Sequence, residues 1–164
     1  MDMRNRSVIA LTAALIGVLA LGGIVLATPA AGVTSTTIAT GSLDPVNLLV
    51  KNGDWMTQLR TKGASTLTVV ENDVAPGGTF GWHSHPGPSL IIVKSGTLTF
   101  YRADDPTCTP EVHSAGDAFV DSGLDVHIGR NEGTVTAVVI VTRLLPAGAP
   151  ARIDQPDPGT CAGL

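Results

Sequence analysis

From Val46 onward the chain is a succession of short runs in which apolar residues alternate with polar ones or stand together, each run closed by Gly, Pro, Asp or Ser. The runs are rich in Val, Ile, Thr and aromatic residues, the composition that suits a pleated, half-buried surface. They predict strands over Val46–Val50, Ser65–Val74, Thr79–His85, Ser89–Lys94, Thr97–Arg102, Glu111–Ser114, Ala118–Val120, Val126–Arg130 and Val135–Leu144. Trp55–Lys62 fits a helical turn or a further strand. Many short strands with frequent turn signals specify an all-β sandwich or barrel. LIIV at 90–93 and VTAVVIV at 135–141 are apolar on both faces. A sheet wet on one side would alternate, so a second layer, the N-terminal segment or a second subunit is expected to cover the other face. A homodimer is one such arrangement.

The most apolar stretch lies earlier. Val8–Ala27 carries no charge in twenty residues, follows Arg4 and Arg6, and runs into the small residues Ala27-Thr28-Pro29-Ala30-Ala31. A basic start, an apolar run and small residues are the layout of an export signal. Twenty helical residues reach roughly 30 Å, enough to cross a bilayer, so an uncleaved anchor is the rival reading. Under either reading the arginines stay cytoplasmic and the rest of the chain lies outside the cytoplasm. The resulting division is a leader or anchor over 1–30, a Thr-, Ser- and Gly-rich linker over 31–45, a β-domain over 46–145 and a Pro-rich tail over 146–164.

A length of 164 residues allows about one domain. Removing residues 1–30 takes Asp2, Arg4 and Arg6 with it and leaves 134 residues at a formal charge of −5. No Lys/Arg cluster is available to neutralise phosphates, so nucleic acid is not an expected partner. Membrane contact is expected only through the N-terminal segment. The two cysteines, Cys108 and Cys161, lack CxxC spacing and in an oxidising compartment read first as one disulfide. It would close a loop of 54 residues, a constraint of about 4 kcal/mol on the chain-entropy model, and would staple the tail to the loop ADDPTCTPE.

The chain has four histidines, His83, His85, His113 and His127. In a strand, residues i and i+2 share a face, so His83 and His85 can present two imidazoles to one ion at about 2.0–2.1 Å. A lone His-x-His is more often structural than ligating. Its surroundings alter that balance. GGTFGWHSHPGPSLIIVKSG followed by GDAFVDSGLDVHIGRN resembles the two motifs of the cupin family. The first family motif runs glycine, five residues, His-x-His, three or four residues, Glu, six residues, glycine; Gly77, His83, His85 and Gly96 fit it. The second runs glycine, five residues, Pro-x-Gly, two residues, His, three residues, Asn; Gly116, His127 and Asn131 fit it. The resemblance implies a single conical jelly-roll barrel, a double-stranded β-helix, with a metal inside held by His83, His85 and His127.

Two positions depart from the family. The Pro-x-Gly turn reads Ser122-Gly123-Leu124, where Gly123 can still supply an unusual backbone angle. The glutamate position holds Ser89, so the site would keep three neutral imidazoles and more open coordination positions. Such a set suits zinc or copper first, iron or nickel next and manganese least. Because only neutral imidazole ligates, release is expected as pH drops below about 6. Ser89 and Asn131 are candidates for the pocket or its support. Trp82 should face away from the ligands, His113 reads as an ordinary solvated or hydrogen-bonded residue, and Tyr101 and Glu71 are candidate cavity residues. The sequence holds no serine nucleophile elbow and no phosphate-cradling glycine loop.

Three functions follow from these features: a module outside the cytoplasm that holds a metal and a small molecule, a metal-dependent dioxygenase-like enzyme, and a structural envelope protein whose barrel is scaffold. The absence of the carboxylate and of an auxiliary acid or base favours the first.

Overall fold

A computed structural model describes residues 27–164. The strands are β1 (Ala31–Leu43), β2 (Asn47–Asn52), β3 (Trp55–Arg60), β4 (Ser65–Thr79), β5 (His83–Ser84), β6 (Ser89–Ser95), β7 (Thr97–Arg102), β8 (Glu111–Ser114), β9 (Ala118–Asp121), β10 (His127–Arg130), β11 (Ala137–Pro146) and β12 (Ile153–Asp154). Ten of them form one sheet, in the order β12-β5-β10-β4-β11-β6-β9, with β1 on β4 and the β7–β8 pair on β10. Every strand pairing is antiparallel, and the sheet curls into a nearly closed barrel.

Alternation along β6 and β11 builds the interior. In SLIIVKS, Ser89, Ile91 and Val93 turn inward and Leu90 and Ile92 outward. In β11, Ala137, Val139, Val141 and Leu145 are buried. Val74, Ile91, Val93, Leu98, Ala137, Val139 and Val141 form the core, with Phe80 and Phe119 against it. A fully buried side chain of this size contributes about 1.5–3 kcal/mol. A second cluster lies behind β5 and β10, where Trp82, Tyr101 and Ile128 pack with Cys161, Cys108 and Leu164. The strands carrying the histidines are therefore covered on both sides, by barrel core within and by the C-terminal tail without.

Two tight turns explain two glycines. Gly96, at φ 71°, joins β6 to β7, and a Cβ there would lie 2.9 Å from the Ala137 Cα. Gly123, at φ 106°, supplies the unusual angle expected of it, and a Cβ would come within 2.3 Å of the Gly87 carbonyl oxygen.

Several expectations change. The stretch expected to be a linker is mostly β1, a strand of 13 residues lying along β4. As an edge strand with nearly every residue exposed, it needs no hydrophobic period, and its β-branched residues suit extended backbone. Trp55–Lys62 resolves as β3, which pairs with β2 alone in a separate hairpin. The strand expected over Thr79–His85 is broken: β4 runs through to Thr79, and β5 has two residues. β12 in the tail was not foreseen. The expected apolar N-terminal helix and most of the leader lie outside the described residues. Among the described residues there is no helix and none long and apolar enough to cross a membrane.

Candidate metal centre

Pro86-Gly87-Pro88 ends β5 after Ser84, since proline has no N–H to continue the ladder. The His85 N–H instead donates to the Gly123 carbonyl at 2.6 Å. Across the sheet, β10 pairs with β5 so that His127 stands directly opposite His83. Directly opposed residues of an antiparallel pair share a face. Ring centroids are 4.4 Å apart for His83 and His127, 4.8 Å for His83 and His85, and 5.4 Å for His85 and His127. All three rings are buried, and one ligand nitrogen from each lies within 4.8 Å of the others.

Each ring is oriented by a backbone carbonyl behind it. Nδ1 of His83 lies 2.8 Å from the Gly81 oxygen, that of His85 2.7 Å from Ala151, and that of His127 2.7 Å from Asp125. A carbonyl only accepts, so each Nδ1 carries the hydrogen and each Nε2 keeps its lone pair. This is the outer-shell arrangement that orients imidazole metal ligands. Burial holds the rings neutral. It pushes the His83 pKa far below the ordinary value, with His127 and Arg152 adding to the effect. Burial also takes His85 down to about 4, against the opposing pull of the Ala151 carbonyl and Asp121. His127 is lowered for the same first reason. Neutral rings are the ligating form.

The rings look into a cavity of about 40 Å³. Phe100 stacks on His127 with centroids 4.7 Å apart, and Ile91, Leu98, Val139 and Val141 complete an apolar wall. The remaining wall is polar and was missed in the sequence. Asp121, the last residue of β9, is 1% exposed and has an oxygen 3.6 Å from His85 Nε2. Arg143 of β11 lines the same cavity, and its Nε is buried without a partner. Ser89 pairs in register with both Arg143 and Asp121, so the three form one inward row across β11, β6 and β9. Strand parity carried a signal for Asp121: it shares a face with Phe119.

The other expected site residues divide. Ser89 does not line the cavity; it is buried between Arg143 and Asp121 in the register, with its hydroxyl unpartnered. Asn131 does not line the cavity; its amide donates to the Val74 and Val135 carbonyls at 2.8 and 2.7 Å and accepts from the Gly133 N–H at 2.9 Å, clamping a loop. Tyr101 belongs to the outer cluster and donates to Glu132 at 2.9 Å, and Glu71 pairs with Lys94 at 2.8 Å, so neither reaches the cavity. Trp82 faces away from the ligands, as expected. His113 stacks on Phe119 with centroids 3.8 Å apart. Cys108 and Cys161 form the expected disulfide.

A family model, Cupin_2 (Cupin domain), matches residues 70–143. Among solved structures the chain is similar to the polyketide cyclase RemF from Streptomyces resistomycificus, at 21% identity and TM-score 0.47, covering 56% of this chain and 64% of that one. It is also similar to a double-stranded β-helix protein from Klebsiella pneumoniae, at 19% identity and TM-score 0.45, covering 68% and 86%. A third likeness is to an oxalate oxidase, at 26% identity and TM-score 0.45, covering 53% and 45%. The chain thus spans less than two thirds of the cyclase and under half of the oxidase. No curated protein matches it. The all-β barrel, the three convergent histidines and the match to the cupin domain model all fall on the same strands, so over residues 70–143 the chain is similar to a cupin domain.

Proposed function

We propose that this chain binds one divalent transition metal ion inside its barrel through Nε2 of His83, His85 and His127, and presents that ion to a small molecule. The observation that carries the reading is the set of three Nδ1 contacts to the Gly81, Ala151 and Asp125 carbonyls. A polar core histidine needs one partner per ring nitrogen. Here the inner nitrogen of every ring is left with a lone pair, and the three inner nitrogens converge. The donor chemistry fits zinc or copper best, then iron or nickel, with manganese last. When bound, such an ion polarises a ligand or water on its open positions.

The chain's own residues supply the rest. Phe100 and the aliphatic wall exclude bulk water, and Arg143 offers a guanidinium to the same cavity. A cavity of about 40 Å³ holds roughly three water molecules, so the companion ligand has few heavy atoms or reaches in by one end. Among the described residues, no side chain lining the cavity other than the ligands and Asp121 stands ready to move a proton, which favours binding over turnover as the primary activity. The apolar run Val8–Ala27 after Arg4 and Arg6 supports export or membrane anchoring, and a disulfide suits an oxidising compartment.

The test is elemental analysis of purified protein, wild type against His83→Ala and His127→Ala. About one equivalent of metal in the wild type and a loss of most of it in each variant, with the β-rich circular dichroism spectrum unchanged, is the expected result. Full metal content in both variants defeats the reading.

A further inference from the structure

The polar wall beside the rings contains an arrangement that three histidines alone do not explain. Asp121 Oδ1 accepts the Gly123 N–H at 2.9 Å, while Oδ2 is buried and has no hydrogen-bond partner. Oδ2 stands 3.6 Å from Nε2 of His85. That nitrogen has no hydrogen to give, because the proton of His85 is committed to the Ala151 carbonyl through Nδ1. Two lone-pair atoms therefore face each other inside a buried site. An unsatisfied buried acceptor costs about 1–3 kcal/mol, more when charged. A cation between the two atoms satisfies both, and donors at about 2.0–2.2 Å from a shared ion stand at about this spacing from one another.

The charge argument points the same way. Three neutral imidazoles leave a divalent ion with its full charge in a cavity whose other lining residues, Asp121 apart, are apolar, amide or the Arg143 guanidinium and bring no negative charge. Burying an uncompensated charge is unfavourable by many kcal/mol. Ser89, where the resemblance places an acid, gives no compensation. Its direct partner in the β6–β9 register is Asp121, on the same inward face. The carboxylate missing from one strand stands on the next. Arg143, the third member of that row, forms no ion pair with Asp121, so Oδ2 is not consumed by a neighbouring cation.

We infer that Asp121, whose Oδ2 stands beside His85 Nε2 and outside the tight cluster of the three rings, moves in on the ion as the fourth protein donor of the metal centre, giving a set of three imidazoles and one carboxylate. The inference rests on the metal-binding reading above. It lowers the net charge of the loaded site by one unit and leaves fewer positions open to a companion ligand.

The experiment titrates wild type, Asp121→Asn and His127→Ala with Co(II), followed by visible absorption and by competition against Zn(II). Asparagine keeps the shape and an oxygen for the Gly123 N–H, but turns an uncharged NH2 toward the ion. The expected result is an affinity lower by at least about tenfold and Co(II) bands displaced from the wild-type position, with a metal-free melting transition no lower than that of the wild type. If Asp121→Asn does not fold, Asp121→Ser, which keeps a hydroxyl acceptor near the Gly123 N–H and removes the charge, takes its place with the same expected loss of Co(II) affinity. A wild type that takes up no Co(II) overturns the metal-binding reading itself. Wild-type uptake that is lost in His127→Ala, but kept in Asp121→Asn with the same affinity and the same spectrum, overturns the carboxylate inference alone.

Discussion

Each of the three rings is fixed by a carbonyl from a different stretch of chain, and burial decides how each titrates. An imidazole with an ordinary pKa near 6.5 would begin to exchange metal for protons below about pH 6. Burial takes His85 down to about 4 and His83 further, so protons compete for these nitrogens only in stronger acid. Zinc content should stay constant from pH 8 to 5 and fall near pH 4, as read by equilibrium dialysis. Release between pH 6 and 7 would show rings that are solvated. The metal-free protein has the matching signature. Between pH 6.5 and about 4 the unfolded chain binds a proton that the folded His85 ring refuses, so stability falls with falling pH, by roughly 1 kcal/mol per unit from this ring, and the lowered His83 and His127 act in the same direction. At this scale the sequence was partly legible. Motif spacing located the three histidines because ligands on a strand obey a local period. Asp121 was hidden because its role depends on standing opposite Ser89, and register between β6 and β9 is not written in either strand alone.

Among the elements, the C-terminal tail has the largest unforeseen role. It was legible as a Pro-rich segment stapled by a disulfide, and that staple exists. What no local pattern announces is that β12 completes the sheet beside β5, with Asp154 opposite His83 and Ile153 opposite Ser84. Gln155 adds bonds to the Trp82 carbonyl at 3.0 Å and to Ser84 Oγ at 3.2 Å. The carbonyl that orients His85 belongs to Ala151, ten residues before the bridged Cys161. The proposed metal site is therefore linked through the tail to the disulfide. A Cys108→Ser/Cys161→Ser variant, which introduces no free thiols, should bind Zn(II) about 10- to 100-fold more weakly in a competition titration, the cost usual for losing an outer-shell partner. Its melting transition should also drop, by the equivalent of up to about 4 kcal/mol. Unchanged affinity with a lowered transition would mean that β12 stays docked without the staple. β1 was misread for a related reason: an edge strand exposed on both faces lacks the alternation by which strands are recognised.

At the scale of the whole molecule, the residue alternation that fills the barrel leaves an apolar surface outside it. Leu90 and Ile92 on β6 are 53% and 51% exposed, Val120 on β9 58%, and Leu67 on β4 40%. Register sets Ile92 beside Ile140 and Leu90 beside Val120, so these residues form one continuous face across neighbouring strands rather than scattered contacts with water. The β2–β3 hairpin, a separate sheet, carries an apolar side of its own in Leu48, Val50, Trp55 and Leu59, all exposed. A lone two-stranded ribbon is marginal in water and gains stability only by packing on another surface. Contiguous apolar patches of this kind mark association sites. The doubly apolar strands seen in the sequence thus have a structural counterpart, and a homodimer that buries this face is the expected state of the protein lacking residues 1–26. Light scattering should give twice the mass of one chain at micromolar concentration, and Ile92→Glu should halve it while leaving zinc content intact, because residue 92 points away from the metal centre. A single-chain mass for the unaltered protein would mean that the face is covered by something other than a second copy.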